Sequence, residues 1–212
     1  MRTRVFPTWL LGVLIVVLVF LIVWLGACTP PPQAGSNPAI VGDSVVAQAQ
    51  WDGAFSAPLP YAYINADAGR SVHDGGMATH TDGVQAAKEA MSHLTPDGWL
   101  VISLGTNSLP KDPVEYEREI RYLDGFLPDT VNLAWVSPYS RNWLDHSRIY
   151  RDVLNTVLPT LGRSHFKVID WYENVKYHDF CCVSGGWLKD GTHPTPEGSA
   201  ALVALIKQQL GL

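Results

Sequence analysis

Ile40-Val41-Gly42-Asp43-Ser44 is a short apolar run that ends in a Gly-Asp-Ser turn. The residues after it, Val45-Val46-Ala47-Gln48-Ala49-Gln50, can continue as a helix. Strand, tight turn and helix in that order place Ser44 where a parallel strand ends, at the positive end of the following helix dipole. A Ser at such a turn is ordinarily a helix N-cap. It becomes a nucleophile only if a base can reach its hydroxyl.

The same alternation continues along the chain. Further strands are expected at 61–65, 99–104, 131–136 and 166–171, after the first at 38–43. The helix expected over 82–94 carries Val84, Ala87, Met91 and Leu94 at helical spacing. The next, over 113–127, opens on Asp112-Pro113 and lines one face with Tyr116, Ile120, Leu123 and Leu127. A helix over 145–158 follows, and a last one over 196–210 is capped by Thr195-Pro196. The stretch between 171 and 195 reads as irregular. Strands alternating with helices predict an α/β fold, a three-layer α/β/α sandwich around a five-stranded parallel sheet. Ligands in such sheets bind beyond the carboxyl ends of the strands. Ser44, Gly69, Asn107 and Arg141 all follow expected strand ends.

A base is supplied near the C-terminus, in Asp190-Gly191-Thr192-His193-Pro194-Thr195-Pro196-Glu197-Gly198. Asp190 stands three residues before His193. The carboxylate can therefore hold one ring nitrogen and leave the other free as a base. Leu104-Gly105-Thr106-Asn107 closes another apolar run. Singly, His193 reads as a surface loop histidine and Asn107 as a turn residue.

The N-terminus is of another kind. Trp9 to Cys28 is uncharged and rich in Leu, Val and Ile. Twenty residues at helical rise reach roughly 30 Å, enough to cross a bilayer core. Arg2 and Arg4 precede the run, and no Lys or Arg follows until Arg70. This bias places the N-terminus in the cytoplasm and everything after residue 28 outside. Leu25-Gly26-Ala27-Cys28 is similar to a bacterial lipoprotein signal, which would make Cys28 a lipidation site. The length of the run favours an uncleaved anchor, and both readings stay open. The expected organisation is thus an anchor or signal at 1–28, a Pro-rich linker at 29–38 and one domain at 39–212.

Beyond the anchor, 13 basic groups face 20 acidic ones. With no basic cluster, nucleic acid is not an expected partner. Cys181 and Cys182 are adjacent, and a vicinal disulfide, free thiols and intermolecular pairing all remain open. His73, His80, His93, His146, His165 and His178 show no metal-ligand spacing, so neither metal nor cofactor is expected.

Taken together these motifs resemble the SGNH, or GDSL-like, hydrolase family. Gly42-Asp43-Ser44 is similar to its first block. Gly69, within Asp67-Ala68-Gly69-Arg70, is similar to the second-block glycine, with Gly75 and Gly76 as rivals. Gly105-Thr106-Asn107 is similar to the third block and Asp190-Gly191-Thr192-His193 to the last. Val45, Ser137-Pro138-Tyr139-Ser140-Arg141 and Val168-Ile169-Asp170-Trp171 bring the chain nearest to the extracytoplasmic domains that accompany membrane O-acyltransferases, including those of peptidoglycan. The resemblance implies a flavodoxin-like SGNH fold. It also implies a Ser44-His193-Asp190 triad and an oxyanion hole of Ser44, Gly69 and Asn107. The implied activity is a serine esterase or O-acyltransferase on acyl, chiefly O-acetyl, groups of cell-envelope carbohydrate. The protein would be tethered to the outer face of a bacterial membrane. This chain has one membrane segment and no multi-span acyltransferase domain, so transfer would need a separate membrane acyl-donor protein or a soluble donor. Arg70, Arg141, Trp143 and Trp187 are the candidate glycan contacts. A catalytically silent glycan-binding module and a lipase- or thioesterase-type esterase are the alternatives.

Overall fold

The computed structural model describes residues 37–73, 82–108, 112–179 and 185–212. The anchor segment with Cys28, most of the linker, Gly75, Gly76, His80, Cys181 and Cys182 lie outside the described residues. Five strands form the sheet: β1 (Ala39–Gly42), β2 (Tyr63–Ala66), β3 (Trp99–Ser103), β4 (Asn132–Val136) and β5 (Phe166–Ile169). Their order is β2-β1-β3-β4-β5, all parallel. The helices are α1 (Ser44–Trp51), α2 (Gly83–Met91), α3 (Pro113–Asp124), α4 (Leu144–Val157), α5 (Trp171–Val175) and α6 (Pro196–Leu210).

Why both faces are covered follows from the strand residues. Val41, Leu100, Ile102, Leu133 and Trp135 pack on one face with the buried sides of α2, α3 and α4. Ile40, Val101, Ala134, Val136 and Ile169 pack on the other with α1, α5 and α6. Consecutive side chains point to opposite faces, so a strand buried on both must be apolar throughout. Each fully buried aliphatic or aromatic side chain contributes about 1.5–3 kcal/mol.

Helix starts are set by side chains that satisfy otherwise orphaned N–H groups. Asp43 caps α1 by accepting from the Val45 N–H at 3.0 Å. Asp82 caps α2 through Gln85, Asp112 caps α3 through Val114, and Thr195 caps α6 through Gly198. Ser44 is therefore the first helical residue, not the cap, and its hydroxyl is available for another partner.

The structure differs from the expected boundaries at several element ends, with α2 closing at Met91 rather than 94 and α3 at Asp124 rather than 127. The chain turns at Leu59–Ala62, so β2 begins at Tyr63 rather than Tyr61. Strand β5 ends at Ile169 because Asp170 turns to cap α5, accepting from the Glu173 N–H at 3.1 Å. Helix α5 thus occupies part of the stretch read as irregular. Its five residues are too few for a periodic signal.

Candidate active site

The order β2-β1-β3 makes the ends of β1 and β3 the point where the chain reverses its direction of winding, the place for a ligand in such sheets. Ser44 follows β1 and Asn107 follows β3 there. Opposite them stands the hairpin that carries Asp190 and His193. An isolated antiparallel bridge between Leu188 and Pro194 defines it, and the Lys189 N–H donates to the His193 carbonyl at 3.0 Å. Gly191 sits at φ 87°, a left-handed conformation that suits glycine at the tip.

Within this turn, His193 Nδ1 lies 2.7 Å from Asp190 Oδ2, and His193 Nε2 lies 2.9 Å from Ser44 Oγ. Asp190 Oδ1 accepts from the backbone N–H groups of Thr192 and His193 at 3.0 and 2.8 Å. Burial works against the Asp190 charge, but the His193 and Thr192 N–H groups and the imidazole outweigh it and hold the carboxyl below the usual range. An ionised carboxylate can only accept, so Nδ1 carries the ring proton and Nε2 faces Ser44 with its lone pair. That is the geometry of general-base activation of a hydroxyl.

Asp43, directly before Ser44, is fully buried. Burial pushes its carboxyl up to about 6, against the opposing pulls of the Val45 N–H, Thr106 and His193.

Gly69 lies beyond β2 at φ 82°, and Asn107 lies on a 3-10 turn, Thr106–Ser108, beyond β3. Asn107 Nδ2 donates to the Arg70 carbonyl at 2.9 Å, which engages one amide hydrogen and leaves the second. The loop is held from below. Tyr150 Oη donates to the Ser108 carbonyl at 3.0 Å, Ser108 Oγ donates to Glu119 at 2.9 Å, and Tyr116 and Trp135 donate to the Leu104 carbonyl.

Of the four residues expected to touch a glycan, Arg70 is placed otherwise. Arg70 is only 2% exposed. Its guanidinium donates to the Gly42 carbonyl at 3.1 Å, the Asn65 carbonyl at 2.5 Å and Asn65 Oδ1 at 2.8 Å, so it braces the interior and cannot reach a substrate. Trp187 is half-buried and stacks on His178 at 3.9 Å and on Trp171 at 5.9 Å. Arg141 borders the hairpin that carries Asp190 and His193, but its guanidinium is engaged by Asp179. Trp143 remains open, 44% exposed, with the His146 ring edge-on to it.

Sequence reading missed what holds the hairpin. The Arg141 N–H donates to the Gly191 carbonyl at 2.8 Å, and Ser140 Oγ lies 2.9 Å from Thr192 Oγ1. Asp179 anchors that loop by accepting from Tyr139 Oη and the Arg141 guanidinium. No periodicity or motif marks Asp179. Only its burial between two donors does so.

Comparison with protein-family profiles finds no match, and none is found among curated proteins. Solved structures do match. The C-terminal catalytic domain of Streptococcus pneumoniae peptidoglycan O-acetyltransferase A, determined with a methylsulfonyl adduct, is 20% identical, with TM-score 0.58 over 83% of this chain and 94% of that one. A variant of an acetyl-xylooligosaccharide esterase from Geobacillus is 17% identical, with TM-score 0.59 over 86% and 97%. A GDSL-like lipase from Bacteroides thetaiotaomicron is 15% identical, with TM-score 0.60 over 87% and 92%. The chain has the SGNH-hydrolase fold. On this SGNH fold, Ser44 and Asn107 follow the ends of β1 and β3, and His193 reaches Ser44 from the hairpin before α6.

Proposed function

We propose that the protein is a serine esterase or O-acyltransferase acting on O-acyl groups of cell-envelope carbohydrate, with O-acetyl as the acyl group. The observation that carries the reading is the continuous contact from Asp190 through His193 to Ser44. Ser44 Oγ attacks the ester carbonyl as His193 Nε2 takes its proton, and the C=O bond opens to an oxyanion. The Ser44 and Gly69 N–H groups and the second Asn107 amide hydrogen hold that charge. Collapse breaks the C–O bond to the leaving alcohol, which receives the proton from His193. Water or a sugar hydroxyl then attacks the acyl-serine by the same proton route. Asp190 holds the imidazole and stabilises the imidazolium at both steps.

The carbohydrate class is supported by the fold likeness to a peptidoglycan O-acetyltransferase domain and an acetyl-xylooligosaccharide esterase. Trp143, exposed two residues from Arg141 at the triad hairpin, offers an aromatic face of the sort that sugars stack on. The apolar run from Trp9 to Cys28 supports a tether on the outer face of a bacterial membrane. A silent glycan-binding module is disfavoured by the assembled triad, which such a module does not need.

The test uses the full chain in detergent, as wild type and Ser44→Ala, with p-nitrophenyl acetate and with or without a chito-oligosaccharide acceptor. Ser44-dependent nitrophenol release is expected. Acetylated sugar, detected by mass, marks the transferase, and its absence marks the hydrolase. Equal release from both proteins overturns the serine chemistry. Trp143→Ala is expected to raise KM for acetylated oligosaccharide severalfold and leave p-nitrophenyl acetate hydrolysis unchanged.

A further inference from the structure

Arg70 touches all three strands of chain that would form the oxyanion hole. Its guanidinium donates to the carbonyl of Gly42, which lies on the nucleophile turn two residues before Ser44. It also donates twice to Asn65, at the end of β2, and Arg70 itself follows Gly69 directly. Its backbone carbonyl accepts from Asn107 Nδ2. The side chain is buried, where only a paired and hydrogen-bonded cation is tolerated. Burial works against its charge, and Asp67 and Asp43 favour it. A guanidinium presents several donors in a fixed plane, so it sets the spacing of the carbonyls it bridges.

We propose that Arg70 is the positioning residue of the oxyanion hole. It fixes the Gly42–Ser44 turn relative to the 65–70 loop and, through its carbonyl, aims the second amide hydrogen of Asn107 into the hole. Arg70 touches no substrate. Its guanidinium holds the loop whose carbonyl orients Asn107, so losing the fork misplaces a donor that acts in the transition state. This rests on the serine-hydrolase reading above.

The test is a double-mutant cycle of Arg70→Lys with Asn107→Ala in the full chain. Lysine keeps the charge but cannot bridge Gly42 and Asn65. With rates per titrated active site, Arg70→Lys is expected to lower kcat on p-nitrophenyl acetate about 10–100-fold with KM changed less than about threefold, below the loss from deleting a donor outright. In the Asn107→Ala background the same change is expected to cost less than about threefold, since coupled residues are not additive. A kcat within about threefold of wild type, or an undiminished loss in the Asn107→Ala background, overturns the proposal. Asn65→Ala, which removes one guanidinium acceptor, runs through the same cycle should Arg70→Lys not fold. A readout without substrate is the Asn107 side-chain amide in 15N NMR. Its two proton shifts are expected to converge in Arg70→Lys, and unchanged shifts overturn the proposal. If Ser44→Ala matches wild type in hydrolysis, the serine-hydrolase reading fails, and the NMR result still decides whether Arg70 orients Asn107.

Discussion

His193 Nε2 and Ser44 Oγ are 2.9 Å apart although 149 positions separate them in the chain. The contact joins the end of β1 to a hairpin just before the last helix. Ser44→Ala and His193→Ala are each expected to lower kcat/KM on p-nitrophenyl acetate by about 10⁴ or more, and the double variant little further, because residues of one unit are non-additive. Steady-state kinetics at neutral pH check this.

Asp190→Asn keeps the size of the side chain but lets the amide face Nδ1 with a donor. The imidazole then turns to the wrong tautomer. An expected fall in kcat of about 10²–10⁴ follows, with the melting temperature nearly unchanged because the group is 49% exposed. Kinetics and thermal melts on the same samples separate the two effects.

Asp43 carries a cost that depends on pH. Its folded-state pKa is about 6 against an ordinary 3.8, because burial disfavours the charge. A raised carboxyl contributes stability that is fully present below the unfolded value and is lost as pH rises through the folded one. Asp43→Asn retains an acceptor for the Val45 N–H and removes the charge. It is expected to be about 2–3 kcal/mol more stable than wild type above pH 6, with the gap closing towards pH 4. Urea midpoints at pH 4.5 and 7.5 test the sign.

Asp179→Ala leaves Tyr139 Oη and the Arg141 guanidinium without their shared acceptor. The Asp179 side chain is 5% exposed, so a loss of about 2–4 kcal/mol is expected, near that for breaking a buried pair. Because Arg141 also holds Gly191, kcat should fall alongside. Denaturant unfolding and kinetics on the soluble fraction report both.

Gly198→Ala puts a Cβ 2.0 Å from the Trp187 carbonyl oxygen, where backbone must move. Strand 187–189 of the triad hairpin packs on the start of α6 through this contact. A loss of about 3 kcal/mol or more and reduced activity are expected, whereas Ala at exposed Gly125, where the Arg121 and Tyr122 carbonyl oxygens lie at 3.5 Å, should be tolerated. Melting curves of the two variants make the comparison.

The amino-acid sequence by itself determined the layered architecture, because strand apolarity, helical spacing and N-caps at Asp82, Asp112 and Thr195 are local. Ser44, Asn107, Asp190 and His193 were legible for the same reason: each sits in a turn of recognisable composition beside a strand or helix end. Helix α5 was not, since one short turn has no period to read. Only the tertiary structure decided that Arg70 is an interior brace, that Trp187 stacks on His178 and Trp171 and that Asp179 anchors the 139–141 loop. An Arg or Trp in a loop has the same local pattern whether it meets solvent, a carbonyl or another ring. What it meets is set by chain that arrives from far away in sequence, here β1 for Arg70, α5 for Trp187 and the loop after β4 for Asp179.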